Sequence, residues 1–536
     1  MSSSKRTSRD QALEKELQAT ASRNQLSNAS QMVFLRSTAH EIVANIERRT
    51  WTASQVLEAF VAQSLVAHSE TNCITEVLFG YARKRAKELD AEFEKTGQLR
   101  GPLHGVPISV KGSVTHPFVQ SMLDAGAVPF VKTNVPQTMF AYECDNPVWG
   151  RTENPYNAAY SSGGSLGGEA CMLSLDASII GLGSDIGGSL RIPAAYCGVY
   201  SLKPGFGRIS DCGAQESFPG FDGVKSVCGP MARCMDDLEL ACRIAFGAPG
   251  AYNDFPPLQF RDVKLVKKLH FGYYTSDGIM KASPASIHLT PEILKAYHTL
   301  TSADGYRNLL REKGSDPLDA SLSVLTFGPK VPRRARTSLI IRSAAAWIID
   351  DKDMTDIVRL SGSRTVEEYH ITCSDRNELK EILTILDSSG WYHHVYSRLS
   401  PNTARVGIFK DVWLMCVLKN SSGSKMLSIM SAAMLAYNLV DSPCGVVPVT
   451  RVDAETDGPG HRSSMAENKL YFKGKTPLYD PVAMDGMPIV VQIVGKIWEG
   501  EKVLAMMRIV DEALGKARGF GPGSWEERLQ NRGRRT

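Results

Sequence analysis

The sequence predicts an α/β fold, because amphipathic helical patterns alternate along it with short apolar runs that are typical of buried strands. A charged helical pattern over residues 79–96 is followed by an apolar run over 105–110. One helix and then one buried strand are predicted within the Gly-rich stretch 161–193. Near the end of the chain, a glycine-bounded apolar run over 486–495 precedes an amphipathic pattern over 499–514.

The other elements follow from the same periodicities. Thr52 is a suitable N-cap for one of the early helices, and Gly97 ends the charged helix that begins at Phe79. The remaining predictions are helices at 40–49, 52–68 and 291–300, a strand at 269–272, and a helix end, turn and strand over 435–452.

Length and composition set limits on the domain organisation. With 536 residues, of which 43% are hydrophobic, the chain can bury a large core. Length alone would allow two or more domains. We expect a polar tail or loosely held helix over 1–31, a main domain over 32–515 that is irregular over 301–434, and a frayed basic tail over 516–536.

Charge and cysteine usage exclude several classes of function. The formal net charge of +4 is near balance for this length and gives no reason to propose nucleic-acid binding. The 11 cysteines are scattered without metal-ligand spacing, so we predict no metal site, and this number of free thiols suits a reducing compartment. The N-terminus has no apolar segment and no window is long enough to span a membrane, so we expect a cytoplasmic protein.

The Gly-rich stretch 161–193 contains two turns in which a serine lies between glycines, Ser165 and Ser189. Paired glycines before a helix start leave several N–H groups unpaired and directed at one point, which favours an anion. A phosphate loop is the simpler interpretation, but no Lys-Ser/Thr pair follows the glycines and the Rossmann spacing is absent. The remaining interpretation is an oxyanion hole beside a serine nucleophile.

A serine nucleophile needs a base, and the candidates in this sequence are histidine and lysine side chains. His104 and His116 are near this stretch in sequence but belong to no recognisable triad motif. Lys111 ends the apolar run 105–110 and is expected to emerge from the end of a buried strand. Burial disfavours the ammonium form, so this lysine can act as a neutral base, and a Ser-Lys pair is a known variant of the triad.

Three motifs, PISVKG, GGSLGGEA and GLGSDIGGSLRIPAAYCG, together resemble the amidase signature family. The resemblance implies that Ser189 forms the acyl intermediate, that Ser165 is a bridging serine in a cis peptide, and that Lys111 is the base. It implies oxyanion N–H groups from Ile186, Gly187, Gly188 and Ser189. We interpret Asp185 and Arg191 as structural.

Within the family, the sequence most resembles the fatty-acid amide hydrolases and fungal acetamidases, over residues 127–139, 437–441 and 445–448. Met139 stands where that subgroup has a methionine that contacts substrate, so the resemblance implies the same contact here. The fold implied is one large mixed β-sheet covered by helices on both faces, with a helical N-terminal region and no cofactor. The expected substrate is a linear carboxamide with an aliphatic or fatty acyl chain.

Two alternatives stay open, a catalytically impaired homologue that binds a ligand and an A-type amidotransferase subunit. The first is motivated by the chain after Lys111, where a longer loop of the family is missing, and Leu166 stands where the family often has a serine. The segment 331–349 joins basic and apolar residues, so it is either a core helix or a peripheral membrane contact. A homodimer is a further hypothesis.

Overall fold

The computed structural model describes residues 2–22, 28–112, 116–215, 217–248, 258–265, 270–274, 290–319, 322, 326–330, 362–389, 405–409, 432–455, 471–472, 476–477 and 482–526. The α-helices are α1 Ser2–Ser22, α2 Asn28–Arg36, α3 Ala39–Glu47, α4 Ala53–Thr71, α5 Phe79–Thr96, α6 His116–Asp124, α7 Gly167–Ser174, α8 Arg191–Cys197, α9 Met235–Ala245, α10 Thr290–Thr301, α11 Arg307–Glu312, α12 Phe327–Lys330, α13 Val366–Ser389, α14 Ala432–Leu439 and α15 Gly500–Leu514. The strands are β1 Ile74–Val77, β2 Pro107–Lys111, β3 Val128–Thr133, β4 Ile180–Asp185, β5 Tyr200–Lys203, β6 Val227–Ala232, β7 His270–Tyr274, β8 Arg405–Phe409, β9 Cys444–Arg451, β10 Tyr471–Phe472, β11 Thr476–Pro477 and β12 Pro488–Val494.

One large sheet organises these elements. Within the described chain it has ten strands in the order β1-β3-β2-β4-β6-β5-β9-β12-β8-β7, and β10 and β11 form a separate pair. β2 pairs in parallel with both β3 and β4, as β7 does with β8, whereas the other pairs of the sheet are antiparallel. The predicted α/β fold with a large mixed sheet is confirmed.

Helices cover both faces of the sheet, as adjacent positions on β12 demonstrate. Gln492 accepts a hydrogen bond from Arg191 of α8 at 3.0 Å. Its neighbour Ile493 pairs with Gly445, where an added Cβ would lie 1.9 Å from Met507 of α15. Because successive residues of a strand point to opposite faces, α8 and α15 lie on opposite sides.

The predicted helix ends have clear local causes. Thr52 caps α4 through a capping box, in which its Oγ1 accepts from Gln55 N at 3.1 Å and its own N–H donates to Gln55 Oε1 at 3.0 Å. Gly97 ends α5 in the left-handed region at φ 67°, which glycine adopts without steric cost.

The described parts of both ends of the chain make contacts with the main body. In α1, the Arg9 side chain is buried and its Nη1 donates to Ile74 O at 3.0 Å, which joins the helix to β1. At the other end, the N–H groups of Gly523 and Trp525 donate to Asp176 Oδ2 at 3.1 and 3.3 Å. The described parts of both segments therefore pack on the main body.

A smaller packed unit beside the sheet joins α13 of the irregular region to the helices that flank that region. Residues of α10, α13 and α14 share a separate apolar cluster, built from Ala296, Tyr297, Leu300, Leu379, Leu435 and Leu439. After α10 the chain enters α11 within six residues, so no strand separates the two helices. The segment 331–349, for which we considered membrane contact, lies outside the described residues.

Candidate active site

Lys111 is the last residue of β2 and its side chain is buried, with 2% of its surface exposed. β2 lies between β3 and β4, and Lys111 itself pairs with Thr133. Its Nζ lies 3.1 Å from Ser165 Oγ and 2.9 Å from Ser184 Oγ. The strand therefore delivers an amine to two serine hydroxyls.

Burial lowers the pKa of Lys111 to about 8, because the charged ammonium loses solvation in the interior. Weaker interactions with Cys228, Asp185, Cys144 and Glu169 act in the opposite direction and favour the ammonium. Near neutral pH a useful fraction of the lysine is thus a free amine, which can accept a proton.

Ser165 is held in the turn before α7. The peptide bond between Gly164 and Ser165 is cis, the form that the resemblance implies for this position. A Cβ at Gly164 would lie 2.1 Å from Ala141 O, so the close approach of the two backbones requires glycine there. Ser165 is 1% exposed, and its hydroxyl is within hydrogen-bond distance of Lys111.

The loop between β4 and α8 carries Ser189, and Asp185 shapes it. The Asp185 carboxylate accepts hydrogen bonds from the N–H groups of Gly188 at 2.8 Å and Leu190 at 3.1 Å. Gly188 has φ 104°, which a residue with a side chain rarely adopts. In this structure the Gly188 N–H donates to Asp185, and an oxyanion donor at Gly188 stays a prediction.

Three N–H groups of the predicted oxyanion site remain. No backbone hydrogen bond recorded in the described chain uses the N–H of Ile186, Gly187 or Ser189. The Ile186 carbonyl accepts from the Tyr297 hydroxyl at 3.2 Å, which connects the loop to α10. These three donors are available to an oxygen placed beside Ser189.

Asp185 and Arg191 form a buried ion pair, with 0% of either side chain exposed. Burial alone would raise the pKa of the Asp185 carboxyl, but the Arg191 charge and hydrogen bonds outweigh it and hold that pKa below its usual range. Arg191 also donates to Met434 O at 3.0 Å and to Asn438 Oδ1 at 2.6 Å. The pair therefore ties the loop to α14.

An open cavity of about 600 Å³ brings the predicted residues together. Lys111, Met139, Ser165, Ile186 and Ser189 all line it. A second cavity of about 380 Å³ shares Met139, Ile186 and Ser189 with the first, and Gly187 also lines it. The serine that the resemblance marks as nucleophile is thus reached from two adjoining spaces.

Comparisons with known proteins identify the family. The sequence model described as Amidase matches residues 55–116 and 117–303. Amidase 1 of Gibberella moniliformis is 38% identical over 511 residues, which cover 88% of this chain and 91% of that protein. The chain belongs to the amidase family.

Two further comparisons support the subgroup that the motifs indicated. Acetamidase of Aspergillus oryzae is 28% identical over 529 residues, covering 91% of each chain. A solved structure described as fatty acid amide hydrolase superposes with a TM-score of 0.70 at 24% identity, covering 94% of this chain and 90% of that one. Like its relatives, this amidase is a hydrolase that acts on amides.

Sequence reasoning missed several residues of the amidase site. Ser184 directly precedes Asp185 in a quoted motif, so the signal was present. Glu169 is fully buried on α7, where Ser109 Oγ donates to it at 2.5 Å and Thr133 Oγ1 at 2.9 Å, and burial raises its pKa to about 8. The other cavity walls come from distant segments without a motif, and they include Phe206, Phe218, Phe221, Tyr142, Tyr297 and His298.

The described part of the amidase shows neither a metal-binding cluster nor a membrane-spanning helix. Within the described ranges, no three or more His, Cys, Asp or Glu side chains are grouped to hold a metal ion. None of the helices described there combines the length and apolarity needed to cross a membrane.

Proposed function

We propose that this amidase hydrolyses linear carboxamides with an aliphatic or fatty acyl chain, through an acyl intermediate on Ser189. The products are a carboxylate and ammonia or an amine. The proposal depends mainly on one observation, the buried Lys111 amine 3.1 Å from Ser165 Oγ in the cavity that Ser189 lines. No cofactor is part of the proposed reaction.

The chemistry follows from the proton positions. The Lys111 lone pair takes the proton of the Ser165 hydroxyl while Ser165 takes the proton of Ser189, whose oxygen attacks the amide carbon. The resulting oxyanion accepts hydrogen bonds from the Ile186, Gly187 and Ser189 N–H groups. The Lys111 ammonium then returns its proton through Ser165 to the leaving nitrogen, the C–N bond breaks, and acyl-Ser189 remains.

Water completes the cycle by the same relay. A water molecule gives its proton to Ser189 as the acyl–oxygen bond breaks, and its oxygen joins the acyl carbon to form the carboxylic acid. During the addition step, Lys111 takes a proton from the water through Ser165, and it returns that proton as Ser189 leaves. Both halves therefore use one lysine in alternating protonation states.

The proposed substrate class is supported by the cavity walls and by the relatives. Met139 and Ile186 line both cavities, and the walls of the second cavity are mainly apolar and aromatic, so an apolar chain finds matching surface there. The first cavity also has polar walls, which include Asp211, Gln215 and Lys225. The names acetamidase and fatty acid amide hydrolase, carried by two similar proteins, span short and long aliphatic amides. A small-molecule amide is the proposed partner; cytoplasmic location, membrane contact through 331–349 and a homodimer stay hypotheses.

The two alternatives make different predictions. A binding homologue would bind amides without turnover, although Lys111 keeps two hydroxyl contacts despite the short connection after it. An amidotransferase subunit would require partner subunits, ATP and charged tRNA. Turnover of simple amides by the isolated chain supports the amidase over both.

The decisive test is covalent labelling by a fluorophosphonate, which reacts with activated serines. The full chain should be labelled, labelling should vanish in Ser189→Ala, and it should slow strongly in Lys111→Ala. Well-folded wild-type protein that is neither labelled nor able to hydrolyse acetamide or a fatty acyl amide would refute the proposal.

A further inference from the structure

Lys111 has a second hydroxyl partner that the relay does not use. Its Nζ lies 2.9 Å from Ser184 Oγ, a shorter distance than the 3.1 Å to Ser165 Oγ. Ser184 lies on β4 and lines the same cavity as Ser189. A hydroxyl this close can decide how the amine is oriented.

The orientation of the Lys111 amine matters because a neutral amine has only one lone pair that can accept a proton. A free lysine amine has two N–H groups and one lone pair, one proton fewer than the three-donor ammonium. The relay needs the lone pair directed at the Ser165 hydroxyl, so Ser165 donates to Lys111. The two N–H groups must then point elsewhere, and Ser184 Oγ is an acceptor within reach of one of them.

We propose that Ser184 is a positioning residue, which accepts an N–H of neutral Lys111 and so directs the amine lone pair at Ser165. The inference rests on the proposed function, because it concerns the same base. After Lys111 takes the proton, Ser184 accepts from the ammonium through the same contact. The amine therefore keeps one orientation through both halves of the cycle.

The sheet holds Ser184 in the position that this role needs. β4 is paired on both sides, with β2 and with β6, and Ser184 lies opposite Cys228 on β6. The preceding Gly183 lies against buried Leu166, which offers no polar atom to Lys111. The pairing of β2 with β4 runs to Val110 and Leu182, so it holds the two backbones side by side just before Lys111 and Ser184.

The test compares variants of Ser184 with a matched serine on another strand of the same sheet, two positions away from β4. Ser201 on β5 is buried and its Oγ has no partner in the structure, so Ser201→Ala controls for the loss of a strand hydroxyl. The fluorophosphonate reaction rate and kcat/KM for an aliphatic amide are measured from pH 6 to 10. Thermal unfolding checks that each variant is folded.

Ser184→Ala is expected to react about 10- to 100-fold more slowly, because the amine loses an oriented hydrogen bond. A hydrogen bond from the ammonium to Ser184 favours the charged form and raises the pKa of Lys111. In Ser184→Ala that bond is lost, so the labelling rate should rise with pH around a lower midpoint than in the wild type. Ser184→Thr keeps the hydroxyl and should restore both rate and midpoint. Should the alanine variant not fold, the isosteric pair Ser184→Thr and Ser184→Val provides the same comparison.

Three outcomes overturn the inference, and they are distinguishable. A folded Ser184→Ala with wild-type rate and midpoint removes the positioning role and leaves the proposed function intact. A slower Ser184→Ala with an unmoved midpoint, not restored by threonine, assigns Ser184 a purely structural role. Folded wild-type protein that is neither labelled nor able to hydrolyse the amide at any pH refutes the proposed function, and the inference fails with it.

Discussion

Raising the pH from 7 to 9 is expected to speed the reaction of Ser189 with a fluorophosphonate about tenfold, because Lys111 changes from ammonium to amine. Burial lowers the pKa of Lys111 to about 8. At pH 7 about one tenth of the lysine is therefore neutral, and at pH 9 about nine tenths. Only the neutral form accepts a proton, so the rate rises with pH and levels off above the pKa.

The assay is a timed labelling of the full chain across pH 6 to 10, with the folded state monitored in each buffer. Lys111→Met cannot titrate, so it should react about 10²- to 10⁴-fold more slowly and lack the limb near pH 8. Glu169 is the other buried group with a pKa of about 8, and Glu169→Gln should retain the limb. A flat wild-type profile, or a midpoint near 8 that persists in Lys111→Met, would refute the assignment of the base.

Three further substitutions test the structure of the site. Lys111→Met should raise the free energy of unfolding at pH 7 by about 2–3 kcal/mol in urea titrations, because the folded state no longer holds a buried ammonium. The pKa of Lys111 is lower in the folded than in the unfolded chain, so wild-type stability rises between about pH 8 and 10.5. The stability advantage of Lys111→Met over wild type therefore shrinks across that pH range. Arg191→Met leaves Asp185 buried without its cation and should cost about 3–5 kcal/mol and abolish labelling of the active serine; a loss under about 1 kcal/mol would contradict the buried pair. Gly183→Ala places a Cβ 1.9 Å from Leu166 Cδ2 and should destabilise the fold by about 1–3 kcal/mol, a cost that a double-mutant cycle should find reduced in a Leu166→Ala background.

The sequence predicted the parts of the site whose geometry is local. Lys111 ends a five-residue strand, and Ser165 and Ser189 lie in turns whose glycines are adjacent to them. The contact of the Gly188 N–H with Asp185 was not predicted, because a motif fixes the order of residues and not which N–H a side chain accepts from. The Asp185 carboxylate folds back over three residues to accept that N–H, which only the three-dimensional loop reveals.

Tertiary packing explains what the sequence did not predict. Tyr297 and His298 reach the second cavity from α10, more than one hundred residues after the serine turns, and no local pattern connects them. The N-terminal helix was predicted to be loosely held or a tail, because its segment is polar and charged. Its contacts include those of Arg9 with Ile74 and of Glu16 with Arg83, and Leu13 packs in the core.

The short connection after Lys111 prompted the alternative of an impaired homologue, and the sheet argues against that consequence. The chain passes from Lys111 to the start of α6 at His116 within five residues. Lys111 is nevertheless held by pairing with Thr133 and by the Ser184 contact, and neither depends on a loop. Lengthening the chain after Gly112 with a flexible insert should therefore leave kcat close to its wild-type value, because the insert leaves the base in place. Steady-state kinetics with a short and a long acyl amide measure this, and a kcat loss that equals the loss in kcat/KM would show that the connection itself positions the lysine.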